Sequence, residues 1–143
     1  TGGATGPTLE PRGQLPAPPP GLVGKTWTLV GFAEGMAVTD VLPGQEPNLS
    51  FSPAGVAGFS GCNSLSGSLA QADADPAEGA LRFGPLAVTE MACAEAERNA
   101  QEARFLTLLP RVARYRLVDA QSLVLEDAEG QAGLLLSSAP PQP

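Results

Sequence analysis

Cysteine is the residue type in this chain best suited to covalent or redox chemistry, and there are two, Cys62 and Cys93, with no histidine anywhere. A thiol acts as nucleophile or ligand in its thiolate form, which an adjacent imidazole commonly generates. Without histidine, neither a Cys-His nor a Ser-His-Asp system can be assembled, and two cysteines alone cannot close a structural zinc site. No metal and no cofactor is expected. Carboxylates remain, since Asp and Glu total 15, but no two stand at a spacing that marks a general acid and base. No catalytic residue is assigned.

Gly24-Lys25-Thr26 invites a phosphate-loop reading, which fails because position 19 is proline and not glycine. Trp27-Thr28-Leu29-Val30 then continues as a strand, so the helix N-terminus that would hold phosphate is missing.

The two cysteines lie in short, unusual stretches. Cys62 belongs to Gly61-Cys62-Asn63-Ser64-Leu65-Ser66-Gly67, where glycine and asparagine suit a tight reversal. Cys93 closes Thr89-Glu90-Met91-Ala92-Cys93, at or just before the start of a helix. Three fates are open to the pair. In an exported protein they would join as a structural disulfide; in a cytosolic one they would stay reduced and buried. A reactive role is disfavoured, because the spacing is not Cys-x-x-Cys and only a helix N-terminus is at hand to lower a thiol pKa. The disulfide is the preferred reading. Its partners are 31 residues apart, and closing such a loop contributes roughly 3–4 kcal/mol in the chain-entropy description.

The elements around these stretches read as β-rich. Period-two alternation marks strands from Lys25 to Phe32 (Trp27, Leu29 and Gly31 on one face), at 36–38, at Asn48–Ser52 (Leu49 and Phe51 inward), at Val56–Ser60, at Ser66–Ala70 and at Leu81–Phe83. Asp73 to Gly79 reads as an acidic loop. From Ala92 to Leu109 the period becomes helical, with Ala92, Ala96, Ala100, Ala103, Leu106 and Leu109 on one stripe and Phe105 beside it. That stripe is expected to lie tight on the sheet, and Pro110 ends the helix. Three strands follow, around Ala113–Leu117, Leu123–Leu125 and Leu134–Ser137, with Arg111, Arg114 and Arg116 on a solvated face. The fold class is α+β, mostly β: an antiparallel meander or cracked barrel with one helix inserted before the last three strands.

The 143 residues fit one domain. Residues 1–23 are rich in proline and glycine, with Pro16-Ala17-Pro18-Pro19-Pro20 favouring polyproline II, and read as a flexible tether that adds no stability. The folded domain is expected over residues 24–137 and a loose tail over 138–143. A formal charge of −7 argues against a nucleic-acid partner and against anionic lipid surfaces. No apolar run reaches the ~18 residues of a membrane helix.

Gly61-Cys62-Asn63 with Gly67, then Thr89-x-Met91-Ala92-Cys93, then Glu102 and the apolar residues at 105, 106 and 109, together resemble the META domain, the HslJ-like family. The resemblance covers about residues 24–137. It implies a small β-rich domain with one helix, usually in the bacterial envelope, periplasmic or secreted, often as a lipoprotein anchored upstream of the domain. Family members are connected with heat shock and stress response, and no reaction is defined for them. The implied role is a non-catalytic envelope domain, expected as a monomer, that binds another envelope protein. The alternative is a carrier or sensor of an apolar ligand such as a lipid tail, because the family has been likened to a cracked-barrel pilotin. One departure from the family pattern is Leu69, where an aromatic is common.

Overall fold

A computed structural model describes residues 16–139 of the chain. Nine antiparallel strands form one sheet: β1 (Thr26–Glu34), β2 (Ala37–Asp40), β3 (Asn48–Ser52), β4 (Gly55–Phe59), β5 (Ser64–Ala72), β6 (Glu78–Val88), β7 (Val112–Asp119), β8 (Ser122–Asp127) and β9 (Ala132–Ser137). They lie in the order β2-β1-β3-β4-β5-β6-β7-β8-β9, and β9 also pairs with β1. The ring closes as an eight-stranded barrel, with β2 a flap hydrogen-bonded to β1 alone. The one α-helix among the described residues, α1 (Ala96–Leu108), and a 3₁₀ turn at Leu109–Arg111 connect β6 to β7. The mostly β, cracked-barrel reading holds.

The crack has a definite position. Most neighbouring strands share long ladders, but β6 and β7 pair only at Glu78↔Arg116, Gly79↔Tyr115 and Ala80↔Arg114. Beyond Ala80 the two strands part, and the helix sits at the gap. Trp27, Leu29, Leu49, Phe51, Leu65, Leu69, Leu81, Leu123, Leu125, Leu134 and Leu136 fill the interior from the strands, while Phe105 and Leu109 enter from the helix and its 3₁₀ turn. Eight strands enclose a space that side chains of this size can fill.

Four readings of the elements need correction. In β1 the ladder with β9 shifts register between Leu29 and Gly31, so Phe32, 2% exposed, takes the inward position while Val30 is turned out. A bulge shifts the strand's phase by one residue, which alternation alone does not reveal. The strand expected over Leu81–Phe83 is much longer, running through Gly84-Pro85 to Val88. The strand expected over Ser66–Ala70 extends at both ends, Ser64–Ala72, and holds Gly67 opposite Val56.

The fourth correction concerns the helix. It starts at Ala96, not Ala92, and Ala92, Ala96, Ala100 and Ala103 are all exposed. The buried face is Glu102 and Phe105, continued by Leu109. Alanines score as apolar but bring little area to bury, so the helix's rotation is set by the large Phe105 and by a polar anchor at Glu102. Consequently Ala100→Leu is expected to change stability by no more than ~0.5 kcal/mol, the usual bound for surface substitutions. A loss of 1 kcal/mol or more in urea unfolding would contradict the exposed placement.

The tether expectation is corrected for its described part. Pro18 and Pro19 are buried, and Pro20–Leu22 forms a 3₁₀ turn that inserts Leu22, 0% exposed, into the core. The carbonyl of Leu22 accepts the indole N–H of Trp27 at 3.1 Å. The packed domain therefore begins at least six residues before Gly24, and the rest of the expected tether, residues 1–15, lies outside the described residues. Leu22→Ala is expected to lose about 3 kcal/mol, within the usual range for a fully buried leucine. An unmoved denaturation midpoint in that variant would restore the tether reading. Residues 140–143 of the expected tail also fall outside the described chain.

Polar groups lock two of the connections. Asp127 Oδ1 accepts the backbone N–H of Gln131 at 2.8 Å in the β8–β9 turn. Burial works against its charge, but the backbone N–H groups of Gln131, Ala132 and Gly130, with Arg111, hold its pKa below the ordinary carboxylate value. The Tyr115 hydroxyl donates to the backbone carbonyl of Asp75, fixing the acidic loop against the barrel. Among the described residues no helix is long and apolar enough to cross a membrane.

Candidate functional site

The residues singled out in the two cysteine stretches meet at the helix end of the barrel. Gly61 has φ of 115°, a conformation that side chains rarely adopt, and so reverses the chain directly before Cys62. The backbone N–H of Ser60 closes the reversal by donating to the Asn63 carbonyl at 2.7 Å. Cys62 and Cys93 come to a Cα–Cα separation of 5.3 Å, at disulfide-bonding distance. Their link would join this turn to the segment just before the helix.

Asn63, 5% exposed, is the centre of the arrangement. Its Nδ2 donates to the Met91 carbonyl and to Glu102 Oε2, both at 2.8 Å. Its Oδ1 accepts from the Met91 N–H at 2.6 Å and from the Thr89 hydroxyl at 2.9 Å. One amide side chain thus grips both backbone groups of Met91, imitating a strand partner. Thr89 Oγ1 in turn accepts the N–H of Ser64 at 3.1 Å, while the Thr89 N–H continues the ladder to the Ser64 carbonyl.

Glu102 reaches into this cluster from the helix and is 9% exposed. Its Oε2 accepts from Asn63 and from the hydroxyl of Ser60, which is fully buried. A buried carboxylate without donors would be strongly destabilising. Here the donors come from the residues that flank Gly61 and Cys62, so Glu102 ties helix to turn. Met91 participates only through its backbone; its side chain is 68% exposed. Gly67 makes no polar contact in the cluster. It matters for close approach, because a Cβ there would lie 2.6 Å from the Pro85 carbonyl oxygen.

Two participants escaped the sequence reading. Ser60 carried no signal beyond preceding Gly61. Asn99 did: asparagine inside a helix is a poor choice unless its side chain has backbone to serve. Asn99 Oδ1 accepts the Cys93 N–H at 2.8 Å, and its Nδ2 donates to the carbonyls of Cys93 and Glu95. It ties the segment before the helix to the helix's first turn, while Glu95, at the N-cap position, makes no side-chain cap bond.

Beside this clamp the crack forms a groove. One part, of about 560 Å³, is lined by Ala70, Phe83, Pro85, Leu86, Leu106 and Pro110, with Gly84 and Val88 completing it. A second part, of about 500 Å³, shares Val88 and Leu106 with the first and runs past Glu90, Met91 and Glu102. The first part lies between β6 and the end of the helix; the second extends to Asn99 and to Ala92 just before the helix, and none of Ala96, Ala100 and Ala103 lines either part.

A family model, described as META domain, matches residues 20–140. No curated protein matches the chain in sequence. Among solved structures, an NMR structure of a protein from Burkholderia xenovorans is similar, with 24% identity, a TM-score of 0.65, and 96% of this chain and 99% of that one covered. A second NMR structure has 21% identity and a TM-score of 0.57, covering 86% of this chain and 96% of that one. A crystal structure of a DUF4847 family protein from Bacteroides vulgatus has 14% identity and a TM-score of 0.60, covering 85% and 96%. At these identities the likenesses concern the fold. With the family match spanning nearly all of the barrel and its motif gathered around Asn63, the chain belongs to the META domain family.

Proposed function

We propose that this chain is a non-catalytic binding domain of the bacterial envelope, a stress-response accessory exported to the periplasm or beyond and held there by an anchor that precedes the domain. The observation that carries the reading is the Asn63 cluster. Asn63, Thr89 and Glu102 direct their polar groups at one another and at the backbone, as a motif does when its task is to hold a fold. The cysteine pair at bonding distance fits an oxidising compartment. The test is acid-quenched alkylation of intact cells of the native host, combined with fractionation. An oxidised pair in the envelope fraction is expected; reduced thiols in the cytosolic fraction would sink the envelope reading.

The groove supports a second reading, a carrier or sensor for an apolar ligand. Phe83, Leu86, Leu106 and Pro110 offer such a ligand an open apolar wall. Extraction of lipid from protein purified from its own envelope, followed by mass spectrometry, would show stoichiometric lipid if this reading is right.

A further inference from the structure

The groove has a polar margin that an apolar ligand does not use. The bond from the Thr89 N–H to the Ser64 carbonyl sets the phase of the end of β6: the Thr89 N–H and the backbone groups of Ala87, opposite Ser66, face β5. In an antiparallel strand the alternate residues face the other way. The N–H and C=O groups of Leu86 and Val88 therefore point across the crack, where pairing with β7 stopped at Ala80. Among the described residues no hydrogen bond reaches them. Pro85 lies outside this edge, at the place where the register with β5 shifts between the Gly67↔Leu86 and Leu69↔Phe83 pairs, and its carbonyl oxygen lies on the Gly67 side.

The charges along the groove are also one-sided. The part between Phe83 and Pro110 carries no ionisable side chain. The adjoining part holds Glu90, exposed, and Glu102, with no Lys or Arg among its lining residues. Resting on the binding-domain reading, we propose that the crack receives an extended peptide strand of a partner protein. That strand is apolar at alternate positions against Phe83, Leu86 and Leu106, and basic where it passes Glu90. It pairs its backbone with Leu86 and Val88, the mode in which a sheet edge supplies affinity and a neighbouring pocket supplies specificity. An acyl chain fills the apolar part equally well, but it leaves the edge amides unpaired and Glu90 without a counter-charge. At about 3.3 Å per residue, the stretch beside Gly84–Val88 takes a strand of about five residues.

The probe is a displayed library of random decapeptides, panned on the full chain. Enriched peptides are expected to alternate apolar residues and to carry Lys or Arg at one end. Two N-methylated versions of an enriched peptide, blocked in opposite phases, then test strand addition: one phase should lose at least tenfold in affinity and the other should bind as before. Amide exchange at Leu86 and Val88 should slow in the complex. Glu90→Lys should weaken binding at least fivefold, and a peptide with its basic end made acidic should regain the loss.

No enrichment over a blank support overturns the proposal, as does equal binding of both N-methylated versions. Binding of dodecanoate in the groove with no peptide enriched overturns it in favour of the apolar-ligand carrier. Each of these results leaves the envelope reading to its own test, because redox state and fractionation do not depend on what fills the groove.

Discussion

Asn63→Ala is expected to be the most damaging single substitution, with a loss of roughly 4–5 kcal/mol. The amide makes four hydrogen bonds, one of them to a buried carboxylate. A hydrogen bond to a charged group contributes ~1.5–3 kcal/mol, and each buried group left unpaired costs ~1–3 kcal/mol. Alanine would remove one of the two donors to Glu102 and both partners of the Met91 backbone. Relief by water is partial, because Glu102 and Ser60 are buried while Met91 is near the surface. Urea unfolding gives the magnitude, and amide exchange shows its location: segment 89–99 should open before the barrel strands. Asn63→Asp is expected to be no milder, since it keeps an acceptor for Met91 but sets a second carboxylate against Glu102. A loss below 1 kcal/mol for the alanine variant would mean the cluster does not hold the helix.

The second large effect is at the cysteines. Denatured, unreduced protein is expected to show no titratable thiol. Cys62→Ser and Cys93→Ser are each expected to lose roughly 3–4 kcal/mol, the loop-closure contribution for a span of 31 residues. The barrel should survive, since its closure through β1 and β9 is independent of the pair. The disulfide and Asn63 hold the same segment, so the two losses should not add. With the cross-link gone, segment 89–95 is held by Asn63, by Asn99 and by the Thr89–Ser64 pairing, and Asn63→Ala should then open that segment further than it does in the cross-linked protein. Two thiols in the untreated protein would remove both the link and the main support for an oxidising compartment.

Much of the architecture was legible in the chain because it depends on local periodicity. Alternation at Leu49 and Phe51, at Leu123 and Leu125, and around Tyr115 marks strands whose inward faces are the observed ones. One helix before three final strands follows from the single change of period between Ala92 and Leu109. The meeting of the two cysteine stretches was also readable, through residue types that suit reversals and through the family resemblance.

Tertiary structure decided whatever depends on surfaces distant in sequence. The family resemblance singles out Glu102, but nothing along the chain says that Ser60 and Asn63 surround it, and this pairing, with Phe105, rotates the alanines outward. Leu22 reads as part of a proline-rich leader until the end of the barrel provides a place to bury it beneath Trp27. Phe32 turns inward only because β9 imposes a bulge on β1. The open edge at Leu86 and Val88 exists because β7 diverges after three pairs, and no local pattern records where a ladder between distant strands ends. Local propensity and alternation are set by neighbours along the chain and can be read from it. Rotation, burial of polar groups and strand pairing are set by contacts across it, whose energies appear only when the barrel closes.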